Sequence, residues 1–256
     1  MSADPAPASA GFDALFRVRF DEAGPGGLVR TSSLLRYAQD LAWQHSDARG
    51  FDRAWYAGRG VTWLVRAAEL GVTGRMASGD TLTGTTEVVG FRRVWSRRRT
   101  TFRDRSGAEM AWVHIDWVLV DERGVPQRIP PDIQAGFAVG VASFSLARVE
   151  LIEPPADAVT ARIGVRLQEL DPLDHVNNAV YADWLDEQVA AAAAEGEAAT
   201  RAVPRRVGLE YARAAERGAT VIATTWRDPG DAGWSCRLDG EDGTPLLRAR
   251  LLPGVG

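Results

Sequence analysis

The segment Asp171-Pro-Leu-Asp-His-Val-Asn-Asn178 places two carboxylates, an imidazole and two amides within eight consecutive residues. A carboxylate can attack an electrophilic carbon or take a proton from water, and a histidine exchanges protons near neutral pH. The octet lies between an alternating strand (Ile163, Val165, Leu167) and a helical segment beginning near Ala179. Groups in that position stand where backbone N–H groups and the helix dipole polarise a carbonyl. Asn178 alone would be an ordinary helix cap. The whole octet, followed by Tyr181 and the acidic pair Asp186-Glu187, exceeds what a cap requires.

The elements that would position this segment occur twice. Phe16–Glu22 and Ile163–Glu169 are strands of similar chemistry, and each leads through a short loop into one amphipathic helix. Thr31, Ser32 and Ser33 supply cap residues in the first loop, Asn177 and Asn178 in the second. Leu34, Tyr37, Leu41 and His45 recur at helical spacing, as do Tyr181, Leu185, Val189 and Ala193. After each helix the pattern turns to strands: 61–72, 81–92, 97–104 and 110–120, then 206–213, 219–226, 235–238 and 246–251. Ser106-Gly107, Asp228-Pro-Gly230 and Asp239-Gly240 mark turns between them. The segment from Val125 to Val159 carries Pro126, Pro130, Pro131, Pro154 and Pro155 and reads as the connection between halves. The fold class is α+β, with one α+β domain as the alternative to two repeated halves.

The run His175-Val-Asn-Asn-Ala-Val-Tyr-Ala-Asp-Trp184, with Asp171 ahead of it, resembles the motif of the hot-dog-fold thioesterases: Asp, three residues, His-Val-Asn-Asn, two residues, Tyr. Leu34 to Gly50, Thr62-Trp-Leu-Val-Arg66, Gly79-Asp80, Arg97-Arg98 and Ala111 to Pro130 look like the N-terminal half of acyl-ACP thioesterases. The resemblance runs from about Phe16 to Leu251. It implies a tandem (double) hot-dog, each half an antiparallel sheet wrapped around a central helix. It divides the chain into a tail (1–11), an acyl-binding half (12–125), a linker (126–159) and a catalytic half (160–256). The implied activity is release of a fatty acid from acyl-ACP, with acyl-CoA as a second carrier. The resemblance places the catalytic Asp and His on Asp171 and His175. Asp174 is the rival carboxylate, while Asn177 and Asn178 shape the loop and cap the helix. Two positions depart from the acyl-ACP pattern. The family's Asn two residues before the His is Leu173 here, and the ungapped match to its catalytic Glu after Tyr211 is Ala214. Glu216, two residues on, would face the same side of a regular strand and is either a substitute or a solvated turn charge. These departures favour simpler Asp-centred chemistry or weak activity. They also leave open a non-catalytic acyl-binding protein; a hot-dog hydratase or dehydratase fits the His-Val-Asn-Asn motif less well.

The remaining signals are broader. The chain has 256 residues, 45% hydrophobic and 25% charged, with a net charge of −4, which gives no reason to expect nucleic-acid or membrane binding. Met1 to Gly11 is rich in Ala, Pro and Ser and lacks the features of a secretory signal, so a disordered tail is expected. The single Cys236 excludes an internal disulfide, fits a reducing compartment, and reads as a core residue. A cytoplasmic monomer or homodimer is the expectation. No metal-ligand spacing or phosphate loop stands out, and no cofactor is expected; Gly24-Pro-Gly-Gly27 reads as a turn. The basic run Arg92–Arg99, with Arg97 and Arg98, could dock an acidic carrier protein or the phosphates of coenzyme A. Trp43 and Trp63, with Trp112, Trp117 and Trp184, are candidates to line an acyl tunnel, and His45 and His114 read as packed residues.

Overall fold

Ten strands rich in alternating apolar residues join into one continuous antiparallel sheet, in a computed structural model that describes residues 11–137, 139 and 144–256. The first half contributes β1 (Gly11–Arg17), β2 (Val61–Val72), β3 (Thr81–Arg92), β4 (Trp95–Arg103) and β5 (Glu109–Asp121). The second contributes β6 (Val159–Gly164), β7 (Arg205–Tyr211), β8 (Thr220–Arg227), β9 (Trp234–Gly240) and β10 (Pro245–Pro253). Their order is β1-β3-β4-β5-β2-β7-β10-β9-β8-β6, so the second half repeats the first in mirror order about the β2–β7 pair. The helices α1 (Thr31–Ala48) and α4 (Val180–Ala192) are the two central helices; α2 (Arg53–Ala57), α3 (Pro131–Gly136) and α5 (Gly196–Thr200) are short.

One hydrophobic core runs through both halves. Leu34, Leu41, Leu70 and Phe102 are sealed within it alongside Tyr181, Leu185, Val189 and Leu209. Burying each large apolar side chain contributes roughly 1.5–3 kcal/mol, so this shared core binds the halves to each other as well as internally. A second cluster, Phe51, Tyr56, Val88, Phe91, Ile129, Ile133 and Phe137, closes one end of the first half.

Several details differ from the sequence reading. The strands expected over Phe16–Glu22 and Ile163–Glu169 end at Arg17 and Gly164, and 3-10 turns follow at Phe20–Glu22 and Leu167–Glu169. In each turn the glutamate turns back to accept a backbone N–H, Arg19 to Glu22 and Arg166 to Glu169, which rewards a tight turn over an extended strand. Thr31, Ser32 and Ser33 lie inside α1, whose N-cap is Arg30; their hydroxyls instead meet Arg205, Arg36 and the Glu22 carbonyl. Residues 1–10 of the expected tail lie outside the described residues, whereas Gly11 already pairs with Glu87.

The proline-rich connection is pinned to the sheet. α3 buries Ile133, and farther along the Ala147 N–H bonds Asp116 on β5 at 2.8 Å while the Val149 N–H bonds Glu210 on β7 at 3.0 Å. Prolines signal an irregular path but say nothing about which buried carboxylates receive the backbone.

Candidate active site

The octet forms a closed loop between the second 3-10 turn and α4. The Asp171 N–H donates to the His175 carbonyl at 2.8 Å, and the Asp174 N–H to the Asp171 carbonyl at 2.9 Å. Asp174 takes the left-handed conformation that this tight turn needs (φ 61°). The Asp171 carboxylate accepts the Leu173 N–H at 2.8 Å, which orients it within its own turn. Asn177 accepts the Ala179 N–H at 2.9 Å and so closes the approach to α4, whose formal N-cap Ala179 has no side-chain bond to offer. Neighbouring elements clamp the loop: the Val176 N–H bonds the Ala215 carbonyl at 3.0 Å, and the Tyr211 hydroxyl donates to the Asn178 carbonyl at 2.9 Å. The Ala215 N–H bonds the Tyr181 hydroxyl at 2.7 Å. Burial pushes the Tyr181 phenol up to about 12 and the Tyr211 phenol higher still, so both stay protonated and structural at neutral pH.

The first half carries the same loop without the chemistry. Gly24 N–H bonds the Leu28 carbonyl at 2.8 Å, Gly27 N–H the Gly24 carbonyl at 2.9 Å, and Val29 N–H the Met76 carbonyl at 2.9 Å. Gly27 occupies the left-handed position (φ 77°) that Asp174 fills in the second half. The counterpart of Asp171 is therefore Gly24 and that of His175 is Leu28, neither of which can do acid–base chemistry.

A cleft of about 970 Å³ opens where β2 and β7 part company. Their pairing runs from Val72/Arg205 to Ala67/Glu210 and stops at a bulge about Arg66. Beyond it, Arg66 reaches across to the carbonyls of Tyr211 and Ala212. The cleft is lined by Asp171, His175, Asn177 and Asn178 from the second half and by Trp43, Tyr56 and Trp63 from the first. Leu173 and Ala214 line it too, so both departures from the expected pattern fall at the site itself.

Other candidates lie elsewhere. Asp174 is exposed and ion-paired with Arg217 at 2.5 Å, which holds its carboxyl below the usual range, and it does not line the cleft. Glu216 is also exposed and off the cleft: β7 ends at Tyr211, so the regular-strand geometry that would have aimed it inward is absent. Its backbone bridges that of His175. Arg97 and Arg98 do not form the expected docking surface, because β4 alternates them across the sheet. Arg97 makes a two-pronged pair with buried Asp116 at 2.6 and 2.7 Å beneath the connecting segment, and Arg98 is buried on the helix side. Trp117 lines the cleft, whereas Trp112 and Trp184 do not. Cys236 is sealed in the core with its thiol pushed up to about 12 by burial, far from a thiolate at neutral pH. His45 is buried between Arg98 and Arg49 and driven down to about 4, chiefly by desolvation, so it is neutral. Arg66, Tyr56 and Tyr211 were not singled out as site residues from sequence. Their local sequence gives them no role at the site, since only the parting of β2 from β7 brings them to one cleft.

Two half-sheets joined edge to edge, each wrapping one long helix, with an Asp/His loop ahead of the second helix, define a double hot-dog protein. The chain belongs to the acyl-ACP thioesterase family: the profile of its N-terminal domain matches residues 9–137 and that of its C-terminal domain residues 152–242. Among solved structures it is similar to an acyl-ACP thioesterase from Bacteroides thetaiotaomicron (TM-score 0.80, 12% identity, covering 95% of this chain and 97% of that one). It is likewise similar to the 12:0-ACP thioesterase from Umbellularia californica (TM-score 0.77, 20% identity, covering 95% and 96%). A chloroplastic palmitoyl-acyl carrier protein thioesterase of Cuphea hookeriana is 21% identical over 92% of this chain. The chain spans 60% of the length of the curated relatives it matches. Among the described residues no helix is long and apolar enough to cross a membrane.

Proposed function

We propose that this protein hydrolyses acyl thioesters, with acyl-ACP as its substrate class and acyl-CoA as a second carrier. One observation carries the reading: a single cleft holds Asp171 and His175 of one half together with the aromatic wall of the other. In this reading the acyl chain lies along Trp43, Tyr56 and Trp63, and the thioester carbon sits by the octet. The Asp171 carboxylate attacks that carbon or takes a proton from the attacking water, with His175 as the accompanying acid–base group. Backbone N–H groups around the start of α4 other than those of Ala179 and Val180, which Asn177 already holds, stabilise the oxygen that becomes negative. Asn177 holds the loop to the helix, and Asn178 lines the substrate side. The lone buried cysteine suits a reducing compartment, and the cytoplasm is the location we propose.

Release of free thiol from acyl-ACP and acyl-CoA tests the proposal. Asp171→Asn and His175→Ala should each lower turnover by at least about a hundredfold, the scale of a positioned acid–base group, with the fold intact. Full activity in a folded Asp171→Asn protein would overturn the assignment. The apolar Leu173 and Ala214 favour one rival, a non-catalytic acyl-binding protein, in which wild-type protein binds acyl-ACP and releases no thiol.

A further inference from the structure

A pseudo-twofold relates the two halves, hydrogen bond by hydrogen bond. The bond from Gly24 N–H to Leu28 repeats in Asp171 to His175, and that from Val29 N–H to Met76 repeats in Val176 to Ala215. Tyr37 and Trp184 each donate to the glutamate of their own 3-10 turn, Glu22 and Glu169. Arg36 and Asp183 hold corresponding places on α1 and α4 and meet each other at 3.0 Å, so the axis passes between them. Three residues further along each helix, Gln39 corresponds to Asp186. By the same relation Asn178 corresponds to Thr31 and Arg66 to Arg205.

The two sets are used differently. In one, Asp186 faces the Thr31 hydroxyl and Arg205 donates to that hydroxyl at 3.3 Å. Thr31 and Arg205 are buried, and Asp186 Oδ1 is enclosed. In the other, Gln39, Asn178 and Arg66 all line the cleft. Arg66 is spent on the carbonyls of Tyr211 and Ala212, whereas among the described residues neither carboxamide has a hydrogen-bond partner. Gln39 follows Arg36 by three residues and precedes Trp43 by four, so the three share one face of α1. Arg36 meets the first turn of α4, and Trp43 belongs to the aromatic wall. A thioester with its carbon by the octet and its acyl chain along that wall passes Gln39 at the carbonyl group. The octet is short of donors there. The Ala179 and Val180 N–H groups are both taken by Asn177, and Leu173 is apolar. A carboxamide N–H is a neutral donor that a developing oxyanion can use.

We propose that Gln39 of the first half is a catalytic residue, donating its side-chain N–H to the thioester carbonyl oxygen as that oxygen becomes negative. The assignment rests on the thioesterase reading above. When water attacks, its proton passes to the Asp171–His175 pair, the new C–O bond forms, and the carbonyl electron pair moves onto the oxygen held by Gln39. That pair returns as the C–S bond breaks, and the sulfur leaves with the proton, giving acid and thiol. Direct attack by Asp171 would develop charge on the same oxygen.

Thiol release from an acyl-ACP and an acyl-CoA is measured at about pH 8 for wild type, Gln39→Met and Gln39→Glu, with urea unfolding as the check of the fold. Gln39→Met keeps the length of the side chain and loses the donor. Its kcat should fall about a hundredfold, the scale of one oxyanion donor, while KM changes little because the loss is felt in the transition state. Gln39→Glu keeps the shape and is ionised at that pH, so it accepts where a donor is needed and should be at least as slow. Wild-type kcat in Gln39→Met, or a rise in KM alone, would show that the side chain only lines the acyl path. A Gln39→Glu protein as fast as wild type would show that an acceptor serves there instead. Either result overturns the assignment and leaves the hydrolase reading standing, whereas no thiol release by wild type overturns both. Should Gln39→Met not fold, the nearly isosteric Gln39→Glu decides alone.

Discussion

Leu173, half-exposed at 51%, and Ala214 stand on the cleft wall shared by Asp171 and His175, where an amide and a carboxylate would have helped to hold a water. If turnover depends on orienting that water, restoring polarity acts on the transition state more than on acyl binding, which belongs to the other half. Leu173→Asn combined with Ala214→Glu should therefore raise kcat by about tenfold, within the range of positioned acid–base groups, and change KM less. Steady-state kinetics with a panel of acyl-ACPs measures this. An unchanged or lower kcat in a stably folded protein would mean that the present site is complete and that the new groups merely bury unsatisfied polarity. Residue identity at this loop was legible in the sequence because the octet is contiguous, and its turn chemistry keeps it so in space. The arginines were not. In the run Arg92–Arg99 every arginine looks solvated; strand alternation puts Arg97 and Arg98 on opposite faces, and only the pairing of β4 with β3 and β5 decides what each face meets.

At the scale of elements, α1 and α4 meet around a charge that neither helix alone explains. Asp186 on α4 faces the Thr31 hydroxyl at the start of α1 and feels Arg205 at the start of β7; its Oδ1 is enclosed with no partner. Burial raises its carboxyl to about 7, only partly offset by Arg205. An acid whose folded pKa lies above its unfolded value keeps its proton when the unfolded chain has lost it. Its contribution to stability is therefore full below the ordinary value of 3.8 and is lost as pH rises towards about 7. Asp186→Asn removes that loss, so the variant should be more stable than wild type at about pH 8, by on the order of 1–2 kcal/mol, and little different at about pH 4. Urea unfolding at the two pH values checks it; a variant less stable at the higher pH would show that attraction to Arg205 outweighs desolvation. The sequence pointed to Asp186 as acidic and next to the site, and the helical spacing of Tyr181, Leu185 and Val189 gave the buried face correctly. Spacing could not say that Asp186 would meet the other helix, because that contact depends on how the two halves dock.

For the whole molecule, the join is the β2–β7 pair, reinforced by the Arg206–Glu69 ion pair at 2.6 Å, and by the Arg36–Asp183 pair at 3.0 Å between α1 and α4. No local signal in the chain announces that β2 and β7 pair. The repeat of strand, loop and helix was legible because each copy has its own periodicity, whereas the seam between copies is purely tertiary. The seam has a functional consequence, since the cleft opens at its end and takes its walls from both sides. Residues 144–256 expressed alone should therefore lose thioester hydrolysis despite retaining the entire octet. They should also self-associate, because the fragment exposes the β7 edge from which β2 has been removed, and an unpaired strand edge is a template for another chain. The apolar surface of α4 that packs into the shared core would be uncovered at the same time. Light scattering coupled to gel filtration, with the thiol-release assay on the same fractions, reads both outcomes. A monomeric fragment hydrolysing at the full-length rate would mean that Trp43, Tyr56 and Trp63 are dispensable and that the second half holds the substrate by itself. Recovery of activity on adding separately expressed residues 1–137 would instead locate the requirement at the seam, where Arg66 meets the carbonyls of Tyr211 and Ala212.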